Sequence, residues 1–396
     1  MNLSDNQKAN MASVLNNAVS CKDLNTALGA AGGREGMAFS HAAGFRDAAG
    51  TDPVGEDAIL AIWSMTKVVT TVAALQLSER GSLDLDAPAS NYCEELNGLS
   101  ILTGLDDNGD PTYEPADRAP TARELITHTS GYVYSIWNEA ILKLESDGLV
   151  PSVLGSDGAF LQAPPVFRPG ERWEYGIGID WLGALIERIS GQRLLDFFAD
   201  NIFDPLGMVD TGYEYEASKM DRSVVAMMRV DGQLIEAPFG QPTPAERGSN
   251  AFYSGGGELY STLADYGQFL TALLNDGRWG DYTLLKPETV AAMFENQIGD
   301  LWVETGVARM PELSNDFDMG LGSPAKWGLG LLLHTEDTGN GRAAGSGSWA
   351  GLMNSYYWLD RKQDTWGLFA TQVLPFYDTE SIATLKAFER ALYGVG

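Results

Sequence analysis

The tetrapeptide Ser64–Lys67, with the sequence Ser-Met-Thr-Lys, combines residue types that could carry out nucleophilic acyl transfer. The apolar run Val68–Leu77 behind it, followed by Gly81, predicts a helix that opens at Ser64. Side chains three residues apart share a helix face, so Lys67 would lie close enough to accept the Ser64 proton. The alternative interpretation is a helix-capping serine followed by an exposed lysine.

A second Ser-x-x-Lys copy, Ser323–Lys326, stands in a different context. It runs directly into the strand-like segment Trp327–Leu331, so no helix would hold its lysine over its serine. The three histidines, His41, His128 and His334, lack metal-ligand spacing, and the sequence contains no Gly-x-Ser-x-Gly elbow and no phosphate-binding loop. We therefore favour Ser64 as the nucleophile, expect neither a metal nor a cofactor, and interpret the histidines as structural.

Periodic apolar residues predict the elements that must position Ser64. They are an N-terminal helix over Met11–Val19, a β-hairpin over Asn25–Ala31 and Met37–Ala43, strand-like runs at Trp327–His334, Trp349–Leu359 and Thr365–Leu374, and a terminal helix over Ile382–Leu392. Two further helices lie between these ends, one capped by Asp180 and ending at Gly191, the other running from Thr262 to Gly277.

Strands at the two ends with helices between them predict an α+β fold. In this fold, an antiparallel sheet flanked by helices is built jointly by residues 1–85 and 300–396, which form one discontinuous domain. Residues 86–299 are expected to form an inserted, mainly helical domain.

The composition argues against several classes of partner. With 26 Lys and Arg residues against 54 Asp and Glu, the net charge of -28 disfavours nucleic acid and anionic membrane surfaces. The chain has no apolar run of membrane-spanning length and no basic-then-apolar leader, so we expect a cytoplasmic protein with no membrane partner. Cys21 and Cys93 are expected to be buried thiols, with a disulfide as the alternative.

Five blocks that occur in order along the chain resemble the serine β-lactamase and penicillin-binding-protein superfamily, in its class C-like branch. The blocks are Ala61–Lys67 with Leu77–Asp86, then Glu124–Gly131, Pro169–Gly176, Ser254–Gly257 and Ser261–Tyr266. Within the superfamily, the chain is most similar to family VIII carboxylesterases and to the related fungal acyltransferase that loads a side chain onto a statin precursor. The resemblance covers nearly the whole chain and implies the β-lactamase-like fold.

The resemblance also implies roles for residues around Ser64. Tyr175 stands where the family has a base tyrosine, which would share proton handling with Lys67. The backbone N–H groups of Ser64 and Leu352 would form the oxyanion hole. His128 is expected to be a structural residue of a loop under the site.

Two departures from the β-lactamase pattern bear on the substrate. The triplet Tyr-x-Asn of the family is here Tyr-Gly-Ile, which places Ile177 where an asparagine would bind a substrate amide. The triplet Lys-Thr-Gly is here Trp349-Ala350-Gly351, so an aromatic wall replaces the cation that anchors a β-lactam carboxylate. We assign Trp349, Gly351 and Ile177 to the substrate pocket. The alternatives are a packing role for Tyr175 and an ordinary core position for Trp349.

These observations predict a serine carboxylesterase that hydrolyses neutral, short-chain or compact small-molecule esters through a Ser64 acyl-enzyme. An acyltransferase, in which an alcohol replaces water, is the first alternative. A β-lactamase or D-amino-acid peptidase comes next. A non-catalytic binding protein comes last, because the chain retains Ser64, Lys67 and Tyr175. No sequence feature specifies the oligomeric state.

Overall fold

The computed structural model describes residue 1 and residues 3–155, 157–214, 216–240 and 251–395. The helices in this part of the chain are α1 (Asp5–Ser20), α2 (Thr66–Glu79), α3 (Ala122–Ile126), α4 (Glu139–Ser146), α5 (Gly178–Ser190), α6 (Leu194–Phe198), α7 (Asp204–Leu206), α8 (Leu263–Leu274), α9 (Pro287–Met293) and α10 (Thr379–Tyr393).

The strands are mostly short. They are β1 (Thr26–Gly33), β2 (Gly36–Gly44), β3 (Leu60–Ala61), β4 (Ser100–Leu105), β5 (Pro111–Pro115), β6 (Met227–Val230), β7 (Gln233–Glu236), β8 (Tyr260–Ser261), β9 (Arg278–Trp279), β10 (Tyr282–Thr283), β11 (Ala325–Trp327), β12 (Leu332–His334), β13 (Gly347–Gly351), β14 (Ser355–Asp360), β15 (Thr365–Ala370) and β16 (Val373–Leu374).

Seven strands form one antiparallel sheet in the order β11-β12-β13-β14-β15-β1-β2. The hairpin β1–β2 joins the C-terminal strands through β15, in a register that pairs Leu28 with Ala370. The predicted α+β architecture, with one antiparallel sheet shared by the two ends of the chain, is therefore confirmed.

Helices cover both faces of this sheet. On one face, a Cβ at Gly29 would lie 2.6 Å from the ring of Phe388 in α10, so the glycine lets the helix pack directly onto β1. A Cβ at Gly32, on the opposite face, would meet the ring of Trp366, which itself contacts Gly267 of α8. The core thus lies in two layers, one between the sheet and α1 with α10, the other between the sheet and α8.

Three of the predicted strand-like runs contain breaks. Trp327–His334 is two strands, because Gly330 takes a φ of 78° and the Gly328 amide donates to the Leu331 carbonyl to close a turn. Trp349–Leu359 is a hairpin with Asn354 at a φ of 58° in its turn, and Thr365–Leu374 holds β15 and β16. The central part of the chain also carries short strand pairs, including β4–β5 and β6–β7, so strands are not confined to the ends.

The predicted helices are confirmed, with one correction at α5. Thr262 accepts a hydrogen bond from the Asp265 amide at the start of α8, as expected of an N-cap. At α5 the N-cap is Ile177 and not Asp180, which lies inside the first turn. The cause is that the Asp180 carboxylate is buried and points away from its own helix.

The domain boundaries at residues 85 and 300 stay a prediction, but two helices pack across them. The residues of helix α8 fall within the predicted helical domain, yet the helix packs on β1, β2 and β15 of the sheet. Helix α2 belongs to the sheet part yet packs on α5 and α6. Helix α2, which follows the predicted nucleophile Ser64, therefore lies between the two parts of the molecule.

The cysteines are unpaired, and their burial differs from the expectation. Cys93 is buried, whereas Cys21 is exposed because it caps the C-terminal end of α1. Within the described residues, no helix is long and apolar enough to cross a bilayer. The same part of the chain holds no group of three His, Cys, Asp or Glu side chains arranged to bind a metal ion.

Candidate active site

Ser64 lies in a short 3-10 turn, Trp63–Met65, directly in front of α2, so the α-helix begins two residues later than predicted. The residue before it, Trp63, has a φ of 46°, a left-handed backbone that non-glycine residues seldom adopt. Such a conformation costs about 1 to 3 kcal/mol and persists where surrounding structure holds it in place. Ser64 lines an open cleft of the described chain.

Lys67 is buried behind Ser64, with 2% of its surface exposed. Its Nζ donates to Ser64 Oγ at 3.1 Å, to Tyr134 Oη at 2.9 Å and to the Gly256 carbonyl at 2.6 Å. An ammonium group has three N–H donors, and all three have acceptors here. The lysine is therefore held by three hydrogen bonds behind Ser64, and the exposed-lysine alternative does not describe this residue.

Tyr175 reaches Ser64 from the other side. Its hydroxyl donates to Ser64 Oγ at 2.7 Å, and the indole N–H of Trp349 donates to Tyr175 Oη at 3.4 Å. The Tyr175 ring packs against Tyr134, Trp137 and Trp349 at centroid distances of 4.9 to 5.3 Å. This packing fixes the hydroxyl within proton-transfer distance of the serine.

His128 forms the floor beneath Tyr175. Its ring lies 4.8 Å from the Tyr175 ring and 4.9 Å from Trp327, and its Nδ1 accepts a long hydrogen bond of 3.4 Å from the Gly176 amide. Burial, with a smaller contribution from the charge on Lys67, lowers the pKa of His128 well below its usual 6.5. The ring is therefore neutral and packs beneath the tyrosine, and its purely structural role stays a prediction.

Two residues of the site escaped the sequence reasoning, Tyr134 and Asp180. The Asp180 carboxylate accepts from Ser254 Oγ at 2.5 Å and from the Gly256 amide at 2.9 Å, and Tyr134 Oη lies 3.5 Å from it. Burial raises the pKa of Asp180, while the charge on Lys67 opposes that shift. A carboxylate in the otherwise apolar stretch Gly178–Leu185 was the available signal for Asp180.

The end of β13 touches the turn that carries Ser64. A Cβ at Gly351 would lie 2.4 Å from the Ile62 carbonyl oxygen, so a glycine is required for this approach. Leu352 follows at once, outside the strand, and lines the same cleft as Ser64. The close approach at Gly351 is what brings the Leu352 backbone alongside the serine.

The cleft above Ser64 has a volume of about 340 Å³, and its apolar walls include Trp63, Ile136, Val153, Leu154, Phe160 and Phe239. A small recess of about 20 Å³ continues past Ser64 between Tyr175, Phe317, Trp349, Gly351 and Phe376. Trp349 and Gly351 therefore adjoin the serine.

Ile177 does not adjoin it: the side chain is buried beside α5 and lines neither space, so its assignment to the pocket is corrected. The reason is that Ile177 caps α5, which directs its side chain into the core.

The second Ser-x-x-Lys copy is structural. Lys326 Nζ donates to the carbonyl oxygens of Gly299 and Leu301 at 2.9 and 2.5 Å and lies 3.8 Å from the centroid of the Trp302 ring. Its ammonium group thus holds the chain before β11 in place and makes no hydrogen bond to Ser323 in the described structure.

The chain is similar over most of its length to proteins that have been characterised or solved. A family model described as Beta-lactamase matches residues 26–388. The chain is 33% identical over 351 residues to the lovastatin esterase of Penicillium rubens, covering 85% of each protein. It is 31% identical over 355 residues to an acyltransferase of Penicillium decumbens, covering 86% of this chain and 82% of that one. The solved structure of simvastatin synthase from Aspergillus terreus matches with a TM-score of 0.83 at 26% identity and covers 99% of each chain.

Proposed function

Because the chain belongs to the Beta-lactamase family of serine hydrolases and acyltransferases, we propose that it is a carboxylesterase that cleaves neutral esters through an acyl-enzyme on Ser64. The observation that carries the proposal is the convergence of Tyr175 Oη, at 2.7 Å, and Lys67 Nζ, at 3.1 Å, on the Ser64 hydroxyl. A structural serine has no need of a tyrosine hydroxyl and a lysine ammonium group bonded to its oxygen in an apolar cleft.

In the first half of the reaction, Tyr175 acts as a phenolate beside the Lys67 ammonium. Ser64 Oγ attacks the ester carbonyl carbon as its proton passes to the Tyr175 phenolate oxygen, which becomes a neutral hydroxyl. The carbonyl oxygen becomes an oxyanion that accepts hydrogen bonds from the backbone N–H groups of Ser64 and Leu352. Collapse of this intermediate breaks the bond to the alcohol, which leaves with the proton from Tyr175. The acyl group stays on Ser64.

In the second half, water enters and repeats the steps in the same order. It gives a proton to Tyr175, attacks the acyl carbon, and releases the acid as Ser64 regains its proton. Lys67 is the cation of the site throughout, because its three N–H groups are already bonded to Ser64, Tyr134 and Gly256. Its charge stabilises the negative charge that passes between the serine and tyrosine oxygens.

The side chains that line the cleft favour binding of neutral esters over binding of β-lactams, which carry a carboxylate. Trp349 occupies the place where the β-lactamase pattern has a carboxylate-binding lysine, and its N–H donates to Tyr175. No lysine or arginine is found among the described residues that line the cleft and its recess. Loss of a charge-assisted hydrogen bond costs about 1.5 to 3 kcal/mol, which is roughly ten- to over a hundredfold in affinity.

Acyl transfer is the second candidate function. Similarity to known proteins supports acyl transfer as well as it supports hydrolysis. An esterase and an acyltransferase match the chain with similar identity and coverage. The two reactions share every step up to the acyl-enzyme and differ in whether water or an alcohol reaches it first.

A panel of p-nitrophenyl esters and nitrocefin, each assayed with and without alcohol acceptors, tests the proposal. We expect kcat/KM for a neutral short-chain ester to exceed that for nitrocefin by at least about a hundredfold. Mass spectrometry of the products separates acid from new ester, and a predominance of new ester would select the acyltransferase. A preference for nitrocefin would reject both candidates, and absence of fluorophosphonate labelling would indicate a binding protein.

A further inference from the structure

Asp180 and Lys67 carry opposite charges and are buried in the same site. Asp180 has 1% of its surface exposed, and Lys67 has 2%. Within the described residues the two make no direct contact: Lys67 Nζ bonds to two hydroxyl oxygens and a backbone carbonyl, and the Asp180 carboxylate accepts from a serine hydroxyl and a backbone amide. Removing a charge from water is strongly unfavourable unless another charge compensates for it. The groups that lie between Asp180 and Lys67 therefore decide how each charge is compensated.

Tyr134 and Gly256 connect the two charges. The Tyr134 hydroxyl accepts from Lys67 Nζ at 2.9 Å and donates to Asp180 Oδ2, which lies 3.5 Å away. The Gly256 carbonyl accepts from Lys67 Nζ at 2.6 Å, while the amide of the same residue donates to Asp180 Oδ1 at 2.9 Å. Apart from Ser64, every group that binds the Lys67 ammonium is therefore held by Asp180.

The local backbone permits this contact. A Cβ at Gly256 would lie 2.5 Å from Asp180 Oδ2 and 2.9 Å from Tyr134 Oη, so a glycine is required where the loop meets the two side chains. Asp180 lies in the first turn of α5 but does not cap it. Burial raises the pKa of Asp180, and the charge on Lys67 opposes that shift by favouring the ionised carboxylate. The carboxylate thus contacts the hydrogen-bond partners of the lysine and not the end of its own helix.

We propose that Asp180 is a positioning residue of the acyl-transfer reaction and the counter-charge of Lys67. Through Tyr134 and Gly256 it holds the lysine ammonium against the nucleophile. This inference rests on the proposed acyl-enzyme function and adds to it a residue that does not touch the substrate. Asp180 lines neither the cleft nor its recess, so its loss should lower kcat and leave KM nearly unchanged. We expect Asp180→Asn, which keeps an acceptor oxygen but removes the charge, to lower kcat by about ten- to a hundredfold.

The test measures the coupling between Asp180 and Tyr134, because a less stable fold would also lower kcat. Asp180→Asn and Tyr134→Phe are combined in a double-mutant cycle with a neutral p-nitrophenyl ester as substrate. The kcat of each protein is divided by the fraction of its sites that react with a fluorophosphonate. If Asp180 acts through Tyr134, part of its effect is already lost in Tyr134→Phe. We expect the combined loss to fall short of the product of the two single losses by at least about fivefold.

Asp265→Asn is the matched control. Asp265 is a buried carboxylate of α8 that accepts from the Asp210 amide and from Thr211. In the described structure it bonds to no group that binds Lys67. Its loss of activity, whatever its size, should multiply with that of Tyr134→Phe to within about twofold.

Gly256→Ala keeps the test decisive if Asp180→Asn does not fold. Its added Cβ separates Asp180 from Tyr134 while leaving both side chains in the protein. We expect it to lower kcat by at least about tenfold and to show the same shortfall when combined with Tyr134→Phe.

An unchanged kcat in Asp180→Asn would overturn the inference. Losses that simply multiply in the cycle would overturn it too, as would an equal shortfall with Asp265→Asn. The native protein reports separately on the proposed function. If it cleaves the ester and is labelled at Ser64 but Asp180 and Tyr134 act independently, the positioning role fails alone. If the native protein does neither, the proposed function fails and this inference fails with it.

Discussion

Ser64 and Ser323 begin the same four-residue pattern, and their surroundings give them different chemistry. Ser64 Oγ has Lys67 Nζ at 3.1 Å and Tyr175 Oη at 2.7 Å, whereas the lysine after Ser323 is bonded to the backbone of Gly299 and Leu301. The four-residue pattern alone cannot separate a reactive serine from a structural one, because the difference depends on whether a helix brings the serine and lysine side chains together.

The serine pair therefore provides a matched test. We expect Ser64→Ala to lower kcat for a p-nitrophenyl ester by about 10⁴-fold or more and to abolish fluorophosphonate labelling. Ser323→Ala should retain both within about twofold, because its serine contacts no proton acceptor of the site. Comparable turnover in Ser64→Ala would mean that the nucleophile lies elsewhere.

Tyr134 offers a second test at this scale. Its hydroxyl is 2.9 Å from Lys67 Nζ, so Tyr134→Phe leaves one N–H of the buried ammonium without an acceptor. We expect kcat to fall by about ten- to a hundredfold with a small change in KM, because a hydrogen bond to a charged group is worth about 1.5 to 3 kcal/mol. Tyr357→Phe is the control, since the buried Tyr357 hydroxyl has no partner in the described structure. Equal rates in the two variants would show that Tyr134 does not position Lys67.

The sequence could indicate Ser64 and Lys67 because the two residues stand three apart at the start of a predicted helix, and it could indicate Tyr175 because that residue stands in a block that resembles the β-lactamase superfamily. Tyr134 and Asp180 could not be found in this way, since they reach Lys67 and the Ser254–Gly257 loop through tertiary contacts. Ile177 was misplaced for the opposite reason. Its motif position was correct along the chain, but the start of α5 directs its side chain into the core.

At the scale of elements, the site depends on the contact between the end of β13 and the turn before α2. A Cβ at Gly351 would come within 2.4 Å of the Ile62 carbonyl oxygen, far closer than two such atoms can approach. Because the Ile62 oxygen belongs to the backbone and cannot rotate aside, a side chain at Gly351 must push the strand away from the turn. The amide of Leu352 would move with it.

We accordingly expect Gly351→Ala to lower kcat by at least about a hundredfold while the protein remains folded, since removing one oxyanion donor alone costs about 10² to 10³. The matched control is Gly339→Ala, where the added Cβ meets no atom within 4 Å. Circular dichroism and ester hydrolysis measured on both variants check the prediction. A fully active Gly351→Ala would show that this contact does not set the oxyanion hole.

Strand periodicity predicted the sheet but missed two of its turns. The turn Leu352–Asn354 joins β13 to β14 with two apolar residues and one asparagine, so the apolar run appears continuous in the sequence. The turn between β11 and β12 likewise contains Leu329 between two glycines. Both turns are buried, so their side chains contribute to the core and do not show the polar composition by which turns are usually recognised.

For the whole molecule, a buried ionic cluster joins α10 to the main sheet. Arg342 forms a salt bridge with Glu389 of α10 and lies 4.6 Å from the Trp358 ring, and its Nη1 is 3.4 Å from His334 Nε2. Burial, and secondly the charge on Arg342, lowers the pKa of His334 to about 3. The folded protein therefore holds this histidine neutral across the mildly acidic range.

This depressed pKa makes stability depend on pH in a defined direction. Below about pH 6.5 the unfolded chain binds a proton at His334 that the folded protein does not bind until about pH 3, so the free energy of unfolding falls as the pH falls through this window. His334→Gln removes the effect. The variant should be less stable than the native protein at pH 7. The difference in free energy of unfolding between the two proteins, here called the stability gap, should shrink by about 2 kcal/mol between pH 7 and pH 5.

Urea denaturation at several pH values measures this gap. The control is Ser348→Ala, which removes the hydroxyl 3.3 Å from His334 Nε2 but leaves the titrating ring, so its gap should vary little with pH. A gap for His334→Gln that stays constant over the same range would contradict the assignment of His334 as a buried neutral residue.

The order of the strands also governs how the protein is made. Strand β1 pairs with β15, so Leu28 finds its partner only when Ala370 has been synthesised. A ribosome that adds about 5 to 20 residues per second releases the first of these residues roughly 20 to 70 s before the second. During that interval the β1 edge of the β1–β2 hairpin is open to strands of other nascent chains. The rate of translation, and not the stability of the finished sheet, sets how long each new chain is exposed to aggregation.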